Sequence, residues 1–284
     1  MADIQDTPEV DADAIRAEFE AAVGRGGSDS GLAGNSKIAH VIGVVSGKGG
    51  VGKSFVTGVL ATQLERAGKR VGIMDADITG PSIPRMFGLA GQQLRSDGTH
   101  IIPARTASGI PIVSANLMLE NESDPVVWRG PMLAGTLEQF WGETLWGELD
   151  YLLIDMPPGT GDVALTVFQS LPVDGLVIVS SPQDLVQMVV GKAVKMAAMM
   201  EIPVLGLVEN MSYAICGHCG EKVEVFGKSH VAETAAEYNL DVLGKMPIDP
   251  ALADACDKGY IEDALPDDLL GDAVASILAS AGSR

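Results

Sequence analysis

Six runs of mainly apolar residues recur along the chain, most of them ending in turn-forming or acidic residues: HVIGVVS, RVGIMDAD, IPIVSAN, DYLLIDMPPG, GLVIVSSPQ and PVLGLVENM. A short, nearly continuous apolar run is the pattern of a strand covered on both faces, as in a parallel sheet. DYLLIDMPPG is the clearest of the six and IPIVSAN the weakest. Between the runs the period changes: SFVTGVLATQLERAG reads as a helix closed by Gly68, and a second helical stretch runs from Asp184 to Met200. Strands alternating with helices predict an α/β fold, a mostly parallel central sheet flanked by helices with ligands gathered at the strands' carboxyl ends.

The beginning of the chain lacks this alternation. Residues 1–37 are acidic and polar, with a short helix expected around Asp13 to Val23 and a Gly/Ser-rich stretch, GRGGSDSGLAGNS, that reads as flexible. A single compact domain is therefore expected over residues 38–284, without internal repeat.

Composition narrows the class. Hydrophobic residues make up 46% of the 284 and aromatic residues 5%, so the core must be mainly aliphatic. No run approaches the roughly 18 apolar residues of a membrane span, and the first twenty residues lack the layout of a signal peptide. A cytoplasmic protein without a membrane partner is the expectation. The net charge of −19 repels phosphate backbones, which argues against a nucleic-acid partner. That acidity reads either as plain solubility or as adaptation to a salt-rich cytoplasm. The terminal PDDLLGDAVASILASAGSR is amphipathic but acidic, unlike the basic-faced helices that lie on membranes.

One stretch carries a phosphate-binding pattern. GKGGVGKS fits G-x-x-x-x-G-K-[ST] and stands between a predicted strand and a predicted helix, the context that the pattern requires. Gly47, Lys48, Gly49, Gly50, Val51, Gly52, Lys53 and Ser54 are thus the candidate nucleotide-binding residues. Glycines let backbone N–H groups turn inward around phosphates, helped by the positive end of the following helix. Lys53 is expected to reach the outer phosphates and Ser54 to ligate Mg²⁺. Asp155, at the end of a strand, can hold Mg²⁺. Asp75 and Asp77 end a neighbouring strand: Asp75 joins the magnesium-side candidates, and Asp77 is favoured to orient the attacking water. For either, a plain turn or N-cap carboxylate is the alternative. The pattern does not call for Lys48.

Cys216 and Cys219 form a C-x-x-C pair, and Cys256 stands alone as an expected packed or partly buried thiol. The pair admits a redox dithiol, half a zinc site or half an iron–sulfur site. Both metals favour four ligands and the chain offers two here, so two copies facing across a twofold axis would complete the set. His218, between the cysteines, is expected to point outward, and His230 to be a surface histidine. Met188, Met196, Met199 and Met200 lie in one helical stretch and read as core rather than as a cargo groove.

KGGVGKS with its extra lysine resembles the deviant Walker A loop of the dimeric ATPases that include MinD, ParA, nitrogenase iron protein and the tail-anchored-protein targeting factor. Within them the chain is similar to the Mrp/ApbC iron–sulfur cluster carriers, through DADITGPSIPRMFG, VVWRGPM, DYLLIDMPPGTGD, SSPQ, VENMSY with CGHCG, and LGKMPIDPALADACDKG. The similarity covers about residues 38–260. It implies that Lys48 reaches across a homodimer to the partner's nucleotide, joining Lys53 and Asp77 as a catalytic candidate. It also implies that Asn210 contacts adenine, and that the nucleotide is ATP rather than GTP. Cys216 and Cys219 would share a bridging [4Fe-4S] cluster destined for acceptor apoproteins. A zinc-clasped ATPase acting in protein targeting or partition is the competing reading. The chain departs from the group in its short acidic amino-terminal segment and in GKSH at 227–230, where relatives carry more glycine.

Overall fold

The computed structural model describes residues 31–77, 82–118, 130–182 and 186–281. The flexible segment and short helix expected in the first thirty residues lie outside the described residues.

The six apolar runs supply β1 (Lys37–Ser46), β2 (Val71–Asp75), β4 (Pro111–Ser114), β5 (Glu148–Asp155), β6 (Gly175–Ser180) and β7 (Val204–Ile215), and β3 (Ala104–Arg105), β8 (Lys222–Val223) and β9 (Val242–Ile248) join them in one sheet. Their spatial order is β8-β7-β6-β1-β5-β2-β4-β3, with β9 also paired to β7. The central pairings are parallel, and the short pairs β7–β8 and β3–β4 are antiparallel. All residues of β2, β4 and β6 are buried, which explains why these strands read as apolar without alternation.

Two aliphatic cores form, one on each face. The first packs the sheet against α1 (Lys53–Arg66), α2 (Ile83–Met86) and, late in the chain, α7 (Pro250–Lys258), α8 (Ile261–Ala264) and α9 (Gly271–Ala281). The second packs it against α3 (Gly130–Gly142), α4 (Asp162–Ser170), α5 (Val186–Met199) and α6 (Val231–Glu237). Helix α1 is wedged between the strands and α9, so it is buried almost all round from Val56 to Leu64.

The sequence reading missed β9. Its segment VLGKMPI carries Gly, Lys and Pro, which break the apolar run, yet it pairs with β7 across two irregularities of register. The methionine reading needs correcting. Met196 is buried in the second core, but Met188 and Met199 stand exposed at 51% and 76%, because they lie on the solvent side of α5.

Candidate functional site

The carboxyl ends of β1, β2, β5 and β7 converge on the loop between β1 and α1. Gly50 and Gly52 have φ of 77° and 78°, the left-handed region that L side chains avoid. Space also dictates glycine: a Cβ on Gly52 would lie 2.2 Å from Asn210 Nδ2, and one on Gly47 would lie 2.2 Å from Val189 Cγ1. Gly52 caps α1, whose first turn holds no acidic residue, so its positive end remains directed at the loop. Lys48 is half-buried on the rim, beside the exposed Gly49 and Gly50.

Beneath the loop the predicted residues come together. Lys53, 5% exposed, places Nζ 2.8 Å from Asp155 Oδ1 and 3.4 Å from Asp77 Oδ2. The Ser54 hydroxyl donates to Asp155 Oδ2 at 2.5 Å. Thr57, which sequence reasoning did not single out, places Oγ1 2.8 Å from Asp155 Oδ1 and 3.1 Å from the Lys53 carbonyl. It sits one helical turn after Lys53, a spacing that puts both on the face turned to β5. Burial pushes the Asp155 carboxyl up, and Lys53, Ser54 and Thr57 pull it back.

Asp75 stands beside Asp155 in the parallel register of β2 and β5. It accepts from the Ser114 hydroxyl at 2.8 Å and from the Asp77 N–H at 3.1 Å, so both its oxygens are engaged within the protein. Burial, and then the negative charge of Asp155, push its pKa up to about 8. Asp75 thus stands behind Asp155 as a carboxyl that prefers to be neutral. Asp77 faces the cavity and Lys53.

Asn210 is buried and braces the loop: Nδ2 donates to the Val51 carbonyl at 3.0 Å, and Oδ1 accepts from the Met211 N–H at 2.9 Å. Beside it opens a cavity of about 720 Å³ between the loop and α7, a size that suits a nucleotide-like ligand. It is lined by the loop itself and by the apolar Met211, Phe226, Pro247 and Leu252, Met211 lying against Gly52. Asp249 caps α7 by accepting from the Ala251 N–H at 2.8 Å. Cys256 is half-buried and also lines this cavity, away from the other two cysteines in the chain. Burial and the adjacent Asp257 push its thiol up to about 11, so it stays protonated and inert.

Cys216 and Cys219 occupy the tip of the β7–β8 hairpin, both as free thiols. The Cys216 N–H donates to the Glu221 carbonyl and the Gly220 N–H to the Cys216 carbonyl, each at 2.9 Å. Gly220 makes the turn with φ of 76°. The backbone N–H groups of Cys219 and His218, and then the Cys219 thiol, bond to the Cys216 sulfur and hold its pKa below the usual thiol value. That favours the thiolate that metals bind. His218 is exposed, as expected. His230 is also exposed and lies 3.7 Å from Glu233. Among the described residues no group of three or more His, Cys, Asp or Glu is placed to hold a metal ion.

A family model of the ParA type, described as NUBPL iron-transfer P-loop NTPase, matches residues 37–280. An iron–sulfur cluster carrier protein of Clostridium perfringens is 52% identical over 233 residues, covering 80% of this chain and 82% of that protein. One of Methanocaldococcus jannaschii is 46% identical, covering 79% and 78%. A relative of the same name from Escherichia coli is 45% identical, but the match spans only 60% of its length. Among solved structures, a nucleotide-binding protein of Archaeoglobus fulgidus in complex with ADP, in which cobalt was found, superposes with a TM-score of 0.73. It is 44% identical, covering 81% of this chain and 90% of that one. The MinC:MinD complex of Aquifex aeolicus shares the fold, with a TM-score of 0.62 at 18% identity over 84% of this chain and 96% of that one. With a family model spanning almost the whole described chain and relatives near half identity, the chain belongs to the NUBPL-type iron-transfer P-loop NTPases of the ParA group.

Proposed function

We propose that the protein is a cytoplasmic ATPase that carries a [4Fe-4S] cluster between two copies of itself and delivers it to apo iron–sulfur proteins. The observation that carries this reading is the hairpin tip, which offers two free thiols, one of them drawn toward thiolate; among the described residues no group of three or more metal-ligating side chains gathers there. Four-thiolate sites are the rule for such clusters, so a second copy is needed. Ile215, Val223 and Val225, in and just after the same hairpin, are about half exposed.

In the proposed hydrolysis, Lys53 exchanges its contacts with Asp155 and Asp77 for the outer phosphates. The hard oxygen donors Ser54 and Asp155, 2.5 Å apart, fit Mg²⁺, with Asp75 behind them. When bound, Mg²⁺ would neutralise charge on the phosphates. Asp77 orients the attacking water, and Lys48 reaches the partner's nucleotide, so that turnover depends on dimer closure. Loop residues 47–54 cradle the phosphates, while Asn210 holds the loop and borders the base. Among the described residues no helix is long and apolar enough to cross a membrane.

A transfer assay tests the reading. Protein loaded with cluster is mixed with an apo acceptor that needs four thiolates, and cluster appearance on the acceptor is followed with ATP, with ADP and without nucleotide. The proposal expects transfer, at rates that differ among the three. Absence of transfer in all three would refute it.

A further inference from the structure

Strand β7 loses its register just where it meets the phosphate loop. Lys245 of β9 faces Glu209 and Pro247 faces Tyr213, so Met246 alone spans a stretch that takes Asn210, Met211 and Ser212 in β7. The two extra residues form a bulge, a device that re-aims side chains beside functional sites. Asn210 and Met211 both press on the loop from it. Asn210 Nδ2 donates to the Val51 carbonyl at 3.0 Å, and Met211 Cε lies 3.7 Å from where a Cβ on Gly52 would be. Met211 takes φ of 59°, a conformation that a non-glycine residue keeps only when its surroundings enforce it. One side-chain bond spans the bulge from end to end. Glu209, the last residue in register before it, accepts from the hydroxyl of Ser212 at 2.5 Å. Both are buried, at 0% and 3% exposure.

For stability alone this carboxyl is a poor choice. Glu209 Oε1 has no hydrogen-bond partner among the described residues, and neither has Oγ of Ser180, which lies opposite it in the β6–β7 register. Burying a carboxyl with one oxygen unpartnered destabilises a fold, and such local costs gather at functional sites. We propose that Glu209 is a positioning residue for nucleotide binding: through Ser212 it sets the bulge, and the bulge holds Asn210 against the phosphate loop. Neither Glu209 nor Ser212 lines the cavity, so their effect on a ligand passes through the bulge. With the bond in place, Asn210 holds the Val51 carbonyl and the loop N–H groups stay turned toward the phosphates. Without it, the bulge is free to slip in register, which turns Asn210 away from Val51. The inference rests on the proposed placement of nucleotide at the loop.

The test is calorimetric titration of ADP with Mg²⁺ into wild type, Ser212→Ala, Glu209→Ala, Glu209→Gln, Asn210→Ala, and Ser212→Ala combined with Asn210→Ala, with a melting curve for each. Ser212→Ala and Glu209→Ala cut the same bond from its two ends. Each should raise the Kd about tenfold, the scale of one hydrogen bond to a charged group. Glu209→Gln should stay within about threefold of wild type, because its amide carbonyl still accepts from Ser212. Asn210→Ala should also weaken binding, and adding Ser212→Ala to it should change the Kd less than about twofold, since the route through Asn210 is already cut. A general loss of stability would instead lower the melting curve and add in full. An unchanged Kd in Ser212→Ala and Glu209→Ala, or full additivity with Asn210→Ala, overturns the inference. Failure of wild type to bind ADP would refute the nucleotide reading itself, and the inference would fall with it.

Discussion

Replacing Asp75 by Asn should change how stability depends on pH in a way that reports its protonation directly. Asp75 is 1% exposed, lies beside Asp155 across the β2–β5 register, and has its pKa pushed up to about 8. In the unfolded chain the same group titrates near 4, about the ordinary aspartate value. Between those values the folded protein keeps a proton that the unfolded chain releases, so rising pH favours unfolding. The stability tied to this proton is fully present below about pH 4 and is lost progressively up to about pH 8. The slope is about 1.4 kcal/mol per pH unit for one proton, or about 3 kcal/mol between pH 5 and pH 7. Asn mimics the neutral acid: its carbonyl still accepts from the Asp77 N–H, and its amide faces Ser114, whose hydroxyl rotates to accept. Urea unfolding of both proteins from pH 5 to pH 8, without nucleotide and with chelator, isolates the Asp75 contribution as the difference between two curves. The variant should gain on wild type by about 3 kcal/mol as the pH rises from 5 to 7. Parallel curves would mean that Asp75 is ionised in the folded state, and would refute the argument from burial and from Asp155.

Lys48→Ala should bind ATP within about threefold of wild type but release phosphate at least about 10³-fold more slowly, the scale of a cation supplied in trans; equal turnover would remove Lys48 from catalysis. Asp77→Asn should likewise keep binding and lose turnover, as measured by nucleotide titration beside a phosphate-release assay, and unchanged turnover would dismiss the water-orienting role. Gly52→Ala should lose nucleotide binding, because its φ of 78° costs an L residue about 1–2 kcal/mol and the new Cβ would strike Asn210. A melting curve lowered by several degrees would show the strain, whereas unaltered ADP affinity would contradict the loop geometry.

The phosphate loop was legible because its chemistry is local: the backbone must turn inward within eight residues, and glycine is the residue that permits it. The strands were legible because burial on both faces removes polar residues from them. What the sequence hid depends on contacts between distant segments. Thr57 looks like any helical threonine until α1 is laid over β5 and its hydroxyl meets Asp155. Ser114 reads as the end of a weak strand, but it is what holds Asp75. Strand β9 was obscured by its own Gly, Lys and Pro, which the sheet accommodates through irregular pairing with β7. The exposed Met188 and Met199 were misassigned because hydrophobicity alone does not say which side of a helix faces the core. Asn210 carries two roles on one side chain, and only its brace to Val51 is a matter of geometry within this chain.

The central claim is that Cys216 and Cys219 of two copies hold one cluster. Anaerobic reconstitution with iron and sulfide, followed by a visible spectrum and by iron, sulfide and zinc per dimer, tests it most directly. The account predicts broad absorption near about 400 nm and about four irons per dimer, both lost in Cys216→Ala. Stoichiometric zinc without an iron chromophore would contradict it and make the hairpin a structural clasp.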